Sequence, residues 1–290
     1  MIYTLENEFL TVKISDLGAE MKSVVAKADG CEYLWQGDPT YWRGTAPWMF
    51  PICSNLFEGK YTYCGKEYAM PQHGFARNQV FVPEVVGDTA ATFALYPNAQ
   101  TREIYPFEFA LFVKYELKGR VLTCELLVQN KGDAVMYATL GGHPGFNVPL
   151  GGSGEYTDYY LEFSEPCSPD YVVFTEEFCD SGKRLPYPLE GSTKLPLSHD
   201  LFRVDGVFLS GTSGAVTLKS DVDAHSVTVT YGDAPYVGFW SSQNEGPYVC
   251  VEPWWGMASQ DGVLPIEEKC PMFRLLPGAE KQVEISIAFA

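Results

Sequence analysis

A chain of 290 residues with 46% hydrophobic content can bury a sizeable core, which excludes a disulfide-held mini-protein and a disordered tail. Its formal net charge of -17 repels phosphate backbones and anionic lipid, which argues against nucleic acid and membrane partners. A few local arginines can still outweigh that field at short range and hold a small phosphorylated molecule.

Period two dominates the chain. Strands are predicted at 8–14, 20–26, 60–63, 66–70, 80–86 and 91–96. Between them, Asp38-Pro39 predicts a short helix start that Gly44 stops. The stretch Phe109–Leu117 turns at Gly119 and returns as Val121–Val128, a hairpin signal. A turn at 130–133 leads into the apolar run Val135–Leu140. Segment 150–200 carries Gly151, Gly152, Gly154, Pro166, Pro169, Pro186 and Pro188, and reads as long loops with a few short strands at the rim of a sandwich. A short turn is predicted over Ser198–Arg203. Strands resume at 215–220, 226–231, 236–240, 248–252 and 281–289, where Val283, Ile285, Ile287 and Phe289 alternate with Glu284, Ser286 and Ala288. Strands recur throughout with no linker-like break, which predicts an all-β sandwich in a single domain, 1–290.

The eight cysteines are scattered, without C-x-x-C or paired His spacing, so no zinc site is expected. Residues Met1–Glu6 lack the basic and apolar regions of a signal peptide, and no apolar run nears the ~18 residues of a membrane helix. The cysteines, Cys270 included, therefore read as reduced thiols in a cytoplasmic protein.

Of the four histidines, His73 and His143 sit in Gly/Pro-punctuated turns after apolar strands, where sites are commonly built. Each either fixes its turn or carries chemistry. His199 and His225 stand among polar residues and read as surface groups. Glu252 follows the apolar run Tyr248–Val251 and precedes Pro253-Trp254-Trp255. A carboxylate there either points to solvent or is buried with a raised pKa suited to a proton-transfer role. Trp254 and Trp255 either fill core or present a flat face to a sugar. Asp205, before Gly206, is a turn residue or a hydroxyl acceptor. Arg43 and Arg77 are surface ion-pair partners or forks for hydroxyls or phosphate.

Four motifs then carry a resemblance: Pro47-x-x-Phe50-Pro51, Gln72-His73-Gly74-Phe75-Ala76-Arg77, His143-Pro144-Gly145-Phe146, and Cys250-Val251-Glu252-Pro253-Trp254, with Asp205–Phe208 between the last two. In this order and over nearly the whole chain they resemble the aldose 1-epimerase (mutarotase) superfamily, in the branch holding LacX-type proteins and hexose-6-phosphate 1-epimerases. The resemblance implies a large antiparallel β-supersandwich, galactose mutarotase-like, with a sugar site in a concave groove. It implies His143 as general acid and Glu252 as general base. His73, Arg77, Gln72, Asp205 and Arg43 would hold the substrate. The implied reaction interconverts α and β anomers of a hexose or hexose phosphate without metal or cofactor, in a monomer or homodimer. The sequence around His143 differs from that of galactose-type mutarotases, so it does not single out galactose. Two alternatives stand beside it: a non-catalytic carbohydrate-binding or sensing protein using the same groove, and a glycoside hydrolase or lyase on a related β-sandwich, which would need a second carboxylate facing Glu252.

Overall fold

The computed structural model describes residues 1–269 and 271–290; Cys270 lies outside the described residues. Every ladder between its strands is antiparallel. A nine-stranded sheet has Val121–Asn130 near its middle, flanked by Phe109–Lys118 and Glu280–Phe289. Its register places Leu122, Cys124 and Leu126 opposite Ile287, Ile285 and Val283, all buried. This is the core row that the period-two pattern requires. An eight-stranded sheet contains Asp180–Pro186, Asp170–Phe174, Val207–Ser210, Tyr236–Trp240 and Tyr248–Trp254. One core cluster collects side chains from Leu5 to Phe289.

The eight-stranded sheet positions the chemistry. Tyr248–Trp254 is buried at every residue, as a run with apolar groups on both faces predicts. Its two faces pack differently. Val249 and Val251 join Val237, Phe239, Val207 and Leu209 in the main core. Cys250, Glu252 and Trp254 point the other way, opposite Trp240, Gly238 and Tyr236 on the neighbouring strand. Gly238 has a packing reason. A Cβ there would meet the Phe208 ring at 2.5 Å, and the missing side chain lets Phe208 lie beside Glu252.

Three expectations need correction. Segment 150–200 is more regular than predicted: Tyr159–Phe163, Asp170–Phe174, Asp180–Pro186 and Lys194–Pro196 are all strands. Sheet pairing supplies order that short, mixed-polarity sequences do not announce. No helix follows Asp38-Pro39. Asp38 Oδ1 instead accepts the Thr40 N–H at 2.8 Å, and its carbonyl accepts two more amides, closing one turn. Finally, His199 and His225 are not plain surface groups. His199 stacks on Tyr156 with centroids 3.8 Å apart. His225 lies between Asp223 Oδ1 at 2.7 Å and Asp29 Oδ2 at 3.0 Å.

That last cluster ties three loops, because Asp223 also accepts the Gly151 N–H at 2.8 Å. Hydrogen bonds to Asp29, then Asp223, raise the His225 pKa. A raised imidazole pKa contributes stability fully below the unfolded value of ~6.5 and loses it as pH rises through the folded value. His225→Gln should therefore lower the thermal midpoint most near about pH 5.5 and least near about pH 9. A midpoint gap that stays constant between those pH values would assign the effect to packing. No helix among the described residues is long and apolar enough to cross a membrane.

Candidate active site

The motifs that are far apart in sequence meet in one cavity of about 470 Å³. Gln72, His73, Arg77, His143, Asp205 and Glu252 all line it. The first two motifs dock directly on each other. The Phe50 carbonyl accepts the Phe75 N–H at 2.9 Å, and the Phe50 N–H donates to the His73 carbonyl at 3.3 Å. Gly74, at φ +73°, makes that approach possible, since a Cβ would sit 2.1 Å from the Phe50 oxygen. His73 is itself held at φ +61°. The Ser54 backbone N–H donates to its Nδ1 at 3.1 Å, so the neutral ring carries its hydrogen on Nε2. Burial, then His143 and Arg77, hold the His73 pKa well below the ordinary value, so His73 is a neutral donor.

His143 leaves the sheet between Gly141–Gly142 and Gly145–Asn147, with its N–H on the Pro47 carbonyl at 3.0 Å. Its ring is clamped by Trp42, stacked at 4.9 Å, and by Trp240 at 5.6 Å. His143 Nε2 stands 3.2 Å from Glu252 Oε1, with the side chains 9% and 1% exposed. The Trp254 indole N–H donates to the other oxygen, Oε2, at 3.2 Å. Oε1 and His143 Nδ1 have no hydrogen-bond partner. A buried polar atom left so costs about 1–3 kcal/mol, and such atoms concentrate at sites that await a ligand.

The electrostatics match. Burial, then the neighbouring Asp205, push the Glu252 carboxyl well above its ordinary value. Burial pushes His143 down to about 3. Both shifts disfavour charge, so the pair holds one proton between them over a wide range of pH. Burial also raises Asp205, against hydrogen bonds from Gly206 and Trp240 that lower it. Arg77 donates to the Gln72 carbonyl at 3.1 Å and forms no ion pair among the described residues, which leaves a guanidinium facing the cavity.

Arg43 is not brought to this site. It is exposed and does not line the cavity. The turn directs the preceding Trp42 inward onto His143 and Tyr248. Trp42 and Trp240 were not singled out from the sequence, although each adjoins a polar or Gly-bearing loop, a signal that could have marked them. Phe208 lies within the Asp205–Phe208 motif, but its role as a wall was not read. Of the two adjacent tryptophans, Trp254 forms cavity wall, whereas Trp255 is core, donating to Asp233 at 2.9 Å. His143, Cys250 and Glu252 also present donor atoms within 4.8 Å of one another, a set a soft metal ion could use. That set would occupy both groups of the proton-sharing pair.

The chain matches the sequence family "Aldose 1-epimerase" over residues 1–288. It belongs to the aldose 1-epimerase family. It is 36% identical over 300 residues to protein LacX of Lactococcus lactis subsp. lactis, covering 99% of each chain. Among solved structures, a galactose mutarotase related enzyme from Lactobacillus acidophilus superposes with TM-score 0.95 at 37% identity, over 100% of this chain and 97% of that one. A galactose mutarotase-like protein from Lactobacillus casei superposes with TM-score 0.93 at 33% identity, over 100% of both. The galactose mutarotase-like β-fold expected from the motifs is the fold observed, and membership of this aldose 1-epimerase family supports an isomerase acting on a sugar.

Proposed function

We propose that this epimerase-family member is a cofactor-independent aldose 1-epimerase of one domain, 1–290, interconverting the α and β anomers of a hexose or hexose phosphate. The observation that carries the reading is the side-by-side placement of His143 and Glu252 in the cavity wall. In a cyclic sugar O1 and the ring oxygen are bonded to the same carbon. Their acid and base must therefore be neighbours, not groups on opposite sides of a bond as in a glycosidase.

Glu252 takes the O1 proton as His143 protonates the ring oxygen. The C1–ring-oxygen bond breaks and the C1 carbonyl forms. Rotation about C1–C2 and closure, with both proton transfers reversed, yields the other anomer. Ring opening moves the shared proton from imidazole to carboxylate without changing the net charge of the pair. The opposed shifts favour the neutral pair with the proton on Glu252, so the imidazolium–carboxylate arrangement that starts ring opening is the less stable of the two. Neutral His73, Arg77, Gln72 and Asp205 line the cavity where they can bind hydroxyls, with Trp254 and Phe208 as apolar wall. The seven described cysteines are free thiols, which suits a cytoplasmic enzyme.

The test is anomer exchange by proton NMR, saturating one anomer's H1 in glucose, galactose, glucose 6-phosphate and galactose 6-phosphate, with His143→Asn as blank. Transfer above the blank supports the reading, and preference for a phosphorylated sugar would assign Arg77 to phosphate. Binding without transfer would make the protein a sugar sensor.

The pH profile gives a second check. Gaining a proton makes the pair cationic, and losing one makes it anionic; burial opposes both. The acid limb of kcat should thus fall below the ordinary imidazole value of ~6.5, and the alkaline limb well above the ordinary carboxyl value of ~4.3, with the plateau between them. A single titration near about pH 6.5 would contradict this arrangement.

A further inference from the structure

The scattered cysteines carry no zinc spacing in the sequence, but folding sets one of them beside the proton-sharing pair. Donor atoms of His143, Cys250 and Glu252 all lie within 4.8 Å of one another. We propose that these three residues form a reversible inhibitory site for a thiophilic divalent cation such as Zn²⁺, with the fourth coordination position facing the sugar cavity. The site stands on geometry; only its inhibitory effect rests on the 1-epimerase reading.

Two strands build the donor set. Cys250 and Glu252 are two residues apart on Tyr248–Trp254 and therefore share a face. Gly145, two residues after His143, pairs with Cys250. A Cβ on Gly145 would stand 3.3 Å from the Cys250 sulfur, so a glycine there keeps the flank of the thiol clear. His143 Nε2 and Glu252 Oε1 are 3.2 Å apart. Two such donors bound to one tetrahedral zinc at about 2.0–2.2 Å lie about 3.4 Å from each other. A sulfur bound at about 2.3 Å lies about 3.6 Å from the imidazole nitrogen, which leaves Cys250 at most about 1.2 Å to travel. Glu252 Oε1 is buried without a hydrogen-bond partner, whereas Oε2 is fixed by the Trp254 indole. The stacked Trp42 and the Trp240 edge hold the imidazole ring in place.

Charge selects the cation. Thiolate and carboxylate bring two negative charges, which a divalent ion cancels where Cys250 and Glu252 are 0% and 1% exposed. On binding, the thiol proton and the proton shared by the pair leave to solvent, and sulfur, nitrogen and oxygen each donate a lone pair to the metal. This mixed donor set favours Zn²⁺, Co²⁺ or Cd²⁺ over Mg²⁺ or Ca²⁺, which take oxygen ligands. His143 Nδ1 has no hydrogen-bond partner among the described residues. Resident zinc sites give that second nitrogen an acceptor, so its lack fits a passing inhibitor better than a permanent cofactor. A neighbouring cavity of about 380 Å³ meets the first across Phe178, Val204 and Asp205; no thiol or imidazole among the described residues lines it, so it offers no competing soft site. An ion on His143 and Glu252 occupies both groups that move the substrate's protons.

The experiment titrates Co²⁺ into the wild type, Cys250→Ala and Cys250→Ser, and reads the thiolate-to-cobalt charge-transfer band. The wild type should show the band at one ion per chain, and Zn²⁺ should displace it; both variants should lack it. Anomer exchange is then followed against Zn²⁺. At saturation it should fall about 10²–10⁴-fold, the contribution of one positioned acid or base, recover on chelation, and need more Zn²⁺ as sugar rises. A variant shown to be folded by circular dichroism should keep wild-type exchange without metal and need at least about tenfold more Zn²⁺ for half inhibition. Mg²⁺ at the same concentration should change nothing. No band in the wild type, or a band or inhibition midpoint that both variants retain, would overturn the site. A bound ion that leaves exchange intact would overturn the inhibition. Should no sugar exchange, the epimerase reading fails, and the cobalt band alone decides the site.

Discussion

Glu252→Gln should lose anomer exchange by about 10²–10⁴-fold in kcat, the usual contribution of one positioned base, while the fold is kept. The direction of the stability change is the sharper part of the expectation. Glu252 is 1% exposed, and burial raises its pKa, which means the ionised form is disfavoured where it stands. A neutral amide of the same shape removes that penalty and can keep a bond from the Trp254 indole. The thermal midpoint of the variant should equal or exceed that of the wild type at neutral pH, a trade of stability for function. Activity within tenfold of wild type would remove Glu252 from the reaction. A collapse of the midpoint would show that the carboxylate is held for structural reasons.

His143→Asn should fall by a similar factor of about 10²–10⁴ in kcat, and the double variant with Glu252→Gln no further than the worse single. The physical reason is that one concerted exchange needs both groups: with the base absent, the acid has no step to assist. Additive losses would mean that the two act in separate steps. Asn also vacates the space between Trp42 and Trp240, so a modest loss of stability is expected from the missing ring contacts. Circular dichroism and the midpoint separate that effect from lost catalysis.

Parts of this protein are legible without coordinates because local physics decides them. The hairpin Phe109–Lys118 and Val121–Asn130 has long alternation and a Gly119 turn, and Glu280–Phe289 has unbroken period two. By contrast, Asp180–Pro186 reads Asp-Ser-Gly-Lys-Arg-Leu-Pro, with no alternation to find. It is a strand because Asp170–Phe174 pairs with it. The short helix Ala99–Ile104 was likewise missed, although Asn98 and Thr101 form a reciprocal cap that the sequence displays. Arg43 and Trp42 show the limit at residue level. Neighbours in a loop face opposite ways, and nothing in a Tyr-Trp-Arg-Gly run says which one turns inward.

By itself the sequence determined a large β-protein with four ordered motifs and two residues, His143 and Glu252, suited to moving a proton. Period-two patterning and turn chemistry act over a few residues, so they survive in one dimension. Only the tertiary structure decided that His143 and Glu252 are neighbours at 3.2 Å, that burial moves both pKa values from their ordinary range, and that a second cavity opens across Phe178. Those properties depend on distance and desolvation between segments about a hundred residues apart, and packing sets both.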